Sequence, residues 1–164
     1  ELVDALAPRR LGLVGHSMGG TVAALYAGAL PNRVERLALL EGLGPVATEP
    51  SFALDRMRQW LSDLKRMERA PRVLSSPEEA LERLVYRHPH VPRDVLATRV
   101  GLLTRVDDAG RIVWAYDPLH RTTAPTPFQV ENFKEFLRRS AMPTLVVGGG
   151  DKGWHPNDES DRIR

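Results

Sequence analysis

The sequence contains no cysteine, no long apolar run and little excess charge. Zero cysteines in 164 residues exclude a disulfide scaffold and a thiolate metal site, and they favour a reducing compartment, so we predict a cytoplasmic protein. No apolar segment approaches the roughly 20 residues that a membrane-spanning helix requires. With 23 Lys and Arg against 21 Asp and Glu, and with arginines scattered singly, the composition does not indicate a nucleic-acid-binding surface.

The two ends of the chain lack the features of a complete protein. The sequence begins with Glu1 instead of methionine, and it ends at Arg164 soon after a strand-like segment. A length of 164 residues is nevertheless enough to bury one hydrophobic core. We therefore expect a piece of a longer protein, incomplete at both ends, and the sequence carries no signal for its oligomeric state.

The most informative stretch is residues 15–19, which read Gly-His-Ser-Met-Gly. An apolar run at residues 11–14 precedes it, and a segment rich in alanine and glycine follows at residues 18–30. This order predicts a buried strand, a sharp turn and a helix packed closely on a sheet. Glycine-rich turns also produce the Gly-x-Ser-x-Gly pattern by chance, but the strand before it and the helix after it favour a nucleophile turn.

The chemistry of a serine nucleophile explains the residue types in this turn. A hydroxyl is a weak nucleophile until a base takes its proton, and it must project from a turn with no room for bulky neighbours. We predict Ser17 as the nucleophile and expect Gly15 and Gly19 to permit the turn. The free N–H of Met18, at the start of the helix, is the expected donor to a developing oxyanion.

The rest of the chain predicts a parallel α/β sheet with one helical insertion. A second apolar segment at residues 34–40 completes a strand, helix and strand within about 30 residues, which implies parallel strands. Residues 44–125 are mainly helical and end in a predicted hairpin. A capping box predicts a helix start at Thr126, and residues 144–147 predict a third parallel strand.

Three stretches resemble the α/β-hydrolase fold superfamily, and within it the capped, serine-hydrolase-like branch: residues 13–26 (LVGHSMGGTVAALY), 31–44 (PNRVERLALLEGLG) and 113–127 (VWAYDPLHRTTAPTP). The resemblance implies an α/β fold whose parallel sheet carries a mainly helical cap. Residues 1–43 and 126–164 would be parts of the core, and residues 44–125 the cap insertion. The strands in this chain would be the fifth, sixth and seventh of about eight.

The resemblance also implies an acid for a catalytic triad. The family order is nucleophile, acid and histidine, and the acid follows the strand after the cap. Asp151 stands at that place and would orient the histidine as it becomes an imidazolium. An aspartate in a glycine-rich turn without a catalytic role is the alternative interpretation. Glu41, at the end of the second strand, is the alternative acid.

None of the five histidines suits the role of the triad base: His16, His88, His90, His120 and His155. His16 adjoins the nucleophile and is expected to support the turn or line the pocket. His120 precedes Asp151, which breaks the family order. His155 follows Asp151 too closely for another strand to intervene, and its pairing with Glu41 is a minor alternative. The resemblance places the base after the eighth strand, beyond the last residue of this chain, and the second oxyanion donor before its first.

The combined hypothesis is a serine hydrolase that cleaves an ester or similar acyl bond of a small molecule through an acyl-enzyme on Ser17. Trp114 and Tyr116 either line its pocket or belong to the core of the cap, and His16 either lines the pocket or supports the turn. No cofactor and no metal are expected, because the sequence contains no phosphate-binding loop and no ligand constellation. Two alternatives stay open: a non-catalytic binding protein of the same fold, and a fragment that is inactive without the triad histidine.

Overall fold

The computed structural model describes residues 2–69 and 73–164, and the chain divides into two compact units. The sheet unit comprises Glu1–Pro50 and Pro127–Arg164, and the helical unit comprises Ser51–Thr126. No helix in the described ranges has the length and apolar character to cross a membrane. In chain order the helices and strands are α1 (Leu2–Leu6), β1 (Gly12–His16), α2 (Met18–Ala29), β2 (Arg36–Leu40), α3 (Ala53–Arg69), β3 (Val73–Leu74), α4 (Pro77–Arg87), α5 (Arg93–Leu103), β4 (Thr104–Val106), β5 (Ile112–Trp114), α6 (Val130–Arg138), β6 (Thr144–Val147) and α7 (Glu159–Ile163).

The sheet unit is built on three parallel strands in the order β1-β2-β6. His16 at the end of β1 pairs with Leu40 at the end of β2, and Leu40 pairs with Val147 at the end of β6. All three strands therefore finish at the same edge of the sheet. The parallel α/β sheet predicted from the sequence is confirmed.

Small residues let α2 pack closely within the sheet unit. Ala24 and Ala27 have no exposed surface and share one apolar core with Phe133 of α6. A Cβ on Gly28 would overlap the backbone carbonyl of Phe136, so α2 and α6 touch there through their backbones. The alanine and glycine content of α2 is thus explained by close packing.

The start of α6 differs from the predicted capping box at Thr126. The helix begins at Val130, and its N-cap residue, Gln129, makes no side-chain capping hydrogen bond. The ring of Phe128, which precedes the cap, packs instead against Phe133 with 5.4 Å between ring centroids. This contact between the residue before the cap and the fourth helical residue is a hydrophobic staple. Apolar packing, not a hydroxyl cap, therefore sets the start of this helix.

Two buried cations fasten α7 to the rest of the sheet unit. Lys134 of α6 is 7% exposed, and its Nζ lies 2.6 Å from an oxygen of Asp161 and 3.0 Å from one of Asp158. Arg162, 4% exposed, donates from Nε to Asp158 at 2.8 Å and from Nη1 to the carbonyl of Leu43 at 2.6 Å. The hydrogen bond from Arg162 is the main cause that lowers the pKa of Asp158 to about 2.

The segment after β2 belongs to the sheet unit as far as Pro50, whereas the sequence predicts a boundary after residue 43. Gly44 has a φ of +81°, and a Cβ there would lie 3.0 Å from the Phe133 ring. Arg162 also donates from Nη1 to the carbonyl of Pro45 at 2.9 Å. These contacts hold the chain to the sheet unit beyond the point where its composition changes.

The helical unit contains α3, α4, α5 and a three-stranded antiparallel sheet in the order β3-β5-β4. β4 and β5 form the predicted hairpin, and β3 is a strand that the sequence did not predict, because two residues carry no measurable periodicity. The buried residues of this unit form a second apolar core: Leu74, Ala80, Leu81, Leu84, Leu96 and Val100. That this unit acts as a cap stays a prediction.

Candidate active site

Ser17 stands between β1 and α2 in a backbone conformation that is rare for a residue with a side chain. Its φ is 51° and its ψ is −121°, and strain of this kind costs roughly 1–3 kcal/mol and clusters at functional sites. The Ser17 N–H donates to the carbonyl of Leu40 at 2.9 Å, and the Ser17 carbonyl accepts from the N–H of Gly20 at 2.9 Å. The side chain makes no capping hydrogen bond to α2, and the residue is exposed. The turn therefore presents the hydroxyl to solvent.

Two close backbone approaches hold this turn in place. A Cβ on Gly15 would overlap the carbonyl of Gly19, and a Cβ on Gly20 would lie 2.5 Å from the Cα of Gly42, which follows β2. Apart from its own helix and chain neighbours, no described atom lies within 4 Å of the Cβ position at Gly19. The packing therefore requires glycine at positions 15 and 20, and the roles of Gly15 and Gly19 in a nucleophile turn stay predictions.

Met18 supplies the first N–H of α2. The first N–H groups of a helix have no acceptor one turn earlier, and the helix dipole adds partial positive charge at this end. An N–H donor therefore follows directly after the Ser17 hydroxyl. This is the arrangement that stabilises an oxyanion formed next to a nucleophile.

The three parallel strands bring Ser17, Glu41 and Gly148 to one edge of the sheet, because each residue directly follows the end of its strand. The N–H of Ser17 is bonded to Leu40, and the N–H of Glu41 donates to the carbonyl of Val147 at 2.8 Å. Ligands of open α/β sheets bind beyond the carboxyl ends of the strands. This edge is therefore the candidate site.

Asp151 lies in the loop that follows β6. It belongs to a short 3-10 turn over Gly150–Lys152, and the loop uses a positive φ of 66° at Gly150. Asp151 is exposed, and within the described part of the chain its carboxylate has no hydrogen-bond or ion-pair partner. The loop thus leaves this carboxylate unoccupied at the same sheet edge that carries Ser17.

Glu41 holds the loop of Asp151 against the sheet. Its own φ is 47°, and its Oε1 accepts a hydrogen bond from the N–H of Trp154 at 3.0 Å. A Cβ on Gly149 would overlap this oxygen, and one on Gly153 would lie 2.5 Å from it. The glycines therefore let the backbone close around the carboxylate. Glu41, the alternative acid in the sequence, binds the loop, a role that sequence reasoning missed.

His155, which precedes α7, connects the same loop to that helix. Its Nε2 lies 2.8 Å from the carbonyl of Gly150, and its Nδ1 lies 2.8 Å from a carboxylate oxygen of Glu159. The Gly150 carbonyl, and after it the Glu159 carboxylate, raise the pKa of His155, because both favour the protonated ring. The hydrogen bonds of His155 go to these two groups and not to Glu41.

The predicted pocket residues fall in different units. His16 ends β1 and is exposed. Trp114 and Tyr116 belong to the helical unit, where their rings stack with centroids 6.1 Å apart and line a cavity of about 460 Å³. Trp114 also packs against the apolar core of that unit. Within residues 2–69 and 73–164, no group of three or more His, Cys, Asp or Glu is placed to hold a metal ion.

The fold and the strand-to-helix turn can be compared with those of known protein families. Residues 1–164 match the family model of the alpha/beta hydrolase fold. The protein therefore belongs to the α/β-hydrolase fold family, and the resemblance seen in the sequence is confirmed at that level.

Individual relatives have names that refer to hydrolases or thioesterases. The chain is 35% identical over 96 residues to a serine hydrolase-like protein of Danio rerio, covering 56% of this chain and 29% of that protein. It is 28% identical over 163 residues to a 2-hydroxy-6-oxononadienedioate/2-hydroxy-6-oxononatrienedioate hydrolase of Paraburkholderia xenovorans, covering 99% of this chain and 53% of that protein. A solved thioesterase domain from the curacin biosynthetic pathway matches with a TM-score of 0.71 at 25% identity, covering 98% of this chain and 58% of that chain. The chain thus spans about half the length of the Paraburkholderia relative.

Proposed function

We propose that the full-length protein is a serine hydrolase that cleaves an ester or similar acyl bond of a small molecule through an acyl-enzyme on Ser17. The observation that carries this proposal is the strained backbone of Ser17, with φ 51° and ψ −121°, at the carboxyl end of a parallel strand. Strained backbone of this kind clusters at functional sites, and the Ser17 side chain makes no capping hydrogen bond to α2. Membership of a hydrolase family supports the same assignment.

In this mechanism the Ser17 Oγ attacks the acyl carbon while a histidine takes its proton. The carbonyl oxygen becomes an oxyanion next to the N–H of Met18, and collapse of the tetrahedral intermediate expels the alcohol, which receives the proton from the histidine. Water, deprotonated by the same histidine, then attacks the acyl-enzyme and restores Ser17. Asp151 would orient the histidine, which we place outside residues 1–164 of the full-length protein.

The test is hydrolysis of p-nitrophenyl butyrate by the full-length protein and two serine variants. Ser17→Ala removes the nucleophile, and we expect kcat/KM to fall by about a thousandfold or more. Ser62→Ala is the matched control, because Ser62 is an exposed serine of α3 in the helical unit, and it should hydrolyse the ester at the wild-type rate. Wild-type turnover by Ser17→Ala would overturn the proposal.

The role of Asp151 has its own variant in the same assay. Asp151→Asn should lower kcat by about a thousandfold or more, because the amide cannot hold the histidine in the productive tautomer or stabilise its cation. Asp108→Asn, at an exposed position of the hairpin turn, is the control and should leave kcat unchanged. A wild-type kcat in Asp151→Asn would remove Asp151 from the mechanism while leaving Ser17 in it.

A second candidate reaction is hydrolysis of a carbon–carbon bond in a 2-hydroxy-6-oxo dienedioate. It is supported by the 28% identity over 163 residues to the Paraburkholderia hydrolase with that name. Loss of the conjugated chromophore of such a substrate, at a kcat/KM above that for p-nitrophenyl butyrate, would assign this reaction. A higher value for the ester would assign the ester.

A further inference from the structure

The helical unit contains a cavity of about 460 Å³, within the size range of small-molecule sites. It lies among α3, the β4–β5 hairpin and the short 3-10 turn at Pro118–Arg121. Its apolar lining comes from Met67, Val113, Trp114 and Tyr116. The aromatic pair offers two nearly parallel rings, 19° apart in orientation. A flat or extended apolar group would therefore find a matching surface in this cavity.

The polar lining of this cavity is dominated by guanidinium groups. Four arginines line it, namely Arg66, Arg105, Arg111 and Arg121, against two carboxylates, Asp63 and Asp107. The pairing of these six groups therefore decides what the cavity can bind.

Both carboxylates are already occupied. Asp63 accepts hydrogen bonds from the Thr123 N–H at 3.1 Å, from Gln59 at 2.9 Å and from Arg66 at 2.7 Å. The Thr123 bond is the main cause that lowers the pKa of Asp63, so this residue stays anionic and neutralises Arg66.

In the hairpin, Arg111 donates from Nε to Asp107 at 2.9 Å. The side-chain hydrogen bond from Arg111, and next to it the backbone N–H of the same residue, lower the pKa of Asp107. Asp107 therefore stays anionic and neutralises Arg111. Both carboxylates of the cavity are thus paired with neighbouring groups of the protein.

Two arginines of the cavity lining are not paired with a carboxylate. The guanidinium groups of Arg105 and Arg121 have neither a hydrogen bond nor an ion pair to any residue of the described ranges. Both are exposed, so their guanidinium groups are solvated while the cavity is empty. A guanidinium presents several N–H donors in one plane and binds a carboxylate through two parallel hydrogen bonds. The excess positive charge selects an anionic ligand over a neutral one.

We propose that this cavity binds a small amphipathic carboxylate, with its aromatic or hydrocarbon body against Trp114 and Tyr116 and its carboxylate at Arg105 and Arg121. The inference does not depend on catalysis by Ser17, because binding is measured without turnover. Failure of one proposal therefore leaves the other standing.

The test is calorimetric titration of the full-length protein with 4-phenylbutyrate, with its neutral analogue 4-phenylbutan-1-ol and with acetate. We expect 4-phenylbutyrate to bind at least tenfold more tightly than the alcohol, since a hydrogen bond to a charged group contributes about this factor or more. Acetate, which lacks the apolar body, should not bind. Equal affinity for the acid and the alcohol, or no binding of 4-phenylbutyrate, would overturn the proposal.

The double variant Arg105→Gln/Arg121→Gln locates the binding site. It should lose about tenfold or more in affinity for 4-phenylbutyrate and keep the wild-type affinity for the alcohol, because only the charge is removed. Since both side chains are exposed, we expect the melting temperature to be unchanged. Arg87→Gln, at an exposed position in the last turn of α4, is the matched control and should bind like wild type. Unchanged affinity in the double variant, or an equal loss in Arg87→Gln, would contradict the site.

Discussion

The loop of Ser17 and the loop of Asp151 leave the same edge of one sheet but are built in different ways. Backbone contacts hold the Ser17 turn, through Gly15 against Gly19 and Gly20 against Gly42. The Asp151 loop is held by ionisable side chains, since Glu41 and His155 both hydrogen-bond its backbone. Both loops contain glycines that leave no room for a Cβ, but only the Asp151 loop depends on ionisable side chains. The Ser17 turn should therefore be insensitive to pH, whereas the Asp151 loop should respond to the charge of the side chains that hold it.

The largest effect is expected when a methyl group is added inside the Ser17 turn. Gly15→Ala and Gly20→Ala should each lower the free energy of unfolding by about 3 kcal/mol, because the new Cβ overlaps backbone that cannot move independently. Urea denaturation of the full-length protein, followed by circular dichroism, measures this loss.

Gly19→Ala is the control for both variants. Its Cβ meets open space, and alanine favours the helix over glycine, so we expect its stability to equal or exceed wild type. An equal loss at Gly19 and Gly20 would show that the turn is not organised by the Gly20–Gly42 contact.

A smaller effect is expected when the ion pairs that anchor α7 are broken. Asp158→Asn should lower the free energy of unfolding by about 2 kcal/mol at pH 7, because it weakens the contacts with the buried Arg162 and Lys134. The pKa of Asp158 is lowered from 3.8 to about 2, so the stabilisation is present above about pH 4 and is lost as the pH falls towards 2.

The difference between wild type and Asp158→Asn should accordingly shrink over that range of pH. Asp55→Asn, at an exposed position of α3, provides the comparison and should change stability by less than about 0.5 kcal/mol at any pH. A constant difference for Asp158→Asn between pH 6 and pH 2 would argue against an ionic origin.

The contact between Glu41 and the loop should have a still smaller effect on stability, although it is expected to alter activity. Glu41→Ala removes the acceptor for the Trp154 N–H and should cost about 1 kcal/mol, together with a roughly tenfold fall in kcat because Asp151 is less well placed. Glu41→Gln keeps an oxygen acceptor, so kcat for p-nitrophenyl butyrate should stay close to the wild-type value. If Glu41→Gln is as impaired as Glu41→Ala, Glu41 acts through its charge and not by holding the loop.

The smallest expected effect is a loss of hydrogen-exchange protection in the Asp151 loop as the pH rises above neutrality. The pKa of His155 is raised by the Gly150 carbonyl and the Glu159 carboxylate, so its contribution is complete below the ordinary value of about 6.5 and is lost as the pH rises through the folded value. Hydrogen exchange, corrected for intrinsic rates, should show residues 148–155 losing protection by a few-fold between pH 6 and pH 8. Residues 15–21 should show no such change. An equal change of protection in the two loops would show that ionisable side chains do not hold the Asp151 loop in particular.

A Glu159→Gln variant sharpens this last prediction. The neutral amide removes one of the two partners that favour the protonated ring, so the titration midpoint of His155, followed by NMR, should move to lower pH. An unchanged midpoint would show that the Glu159 carboxylate does not raise the pKa of His155.

The features that the sequence predicts are those carried by local pattern. Short apolar runs flanked by glycine, alanine or proline predict β1, α2 and β6. The structure places each of these elements within a few residues of its predicted bounds. The positive φ at Ser17 agrees with the spacing of its glycine neighbours. Periodicity and turn residues act over a few positions, so a sequence records them directly.

The features that the sequence did not predict depend on residues far apart in the chain. Gly20 is required by its contact with Gly42, and Glu41 by its contact with Trp154. No local pattern marks either pair, because the sheet brings them together only after folding. β3 is missed for the same reason, because its two residues form a strand only through their pairing with β5.

Covalent labelling of the full-length protein with a fluorophosphonate probe, followed by peptide mass spectrometry, tests directly whether Ser17 is an activated nucleophile. An activated serine attacks the phosphorus and forms a stable adduct, whereas an ordinary exposed serine does not. We predict one adduct on Ser17 that is absent from Ser17→Ala and retained in Ser62→Ala. A folded wild-type protein that carries no adduct, or an adduct that persists in Ser17→Ala, would contradict the assignment and favour a non-catalytic binding protein with this fold.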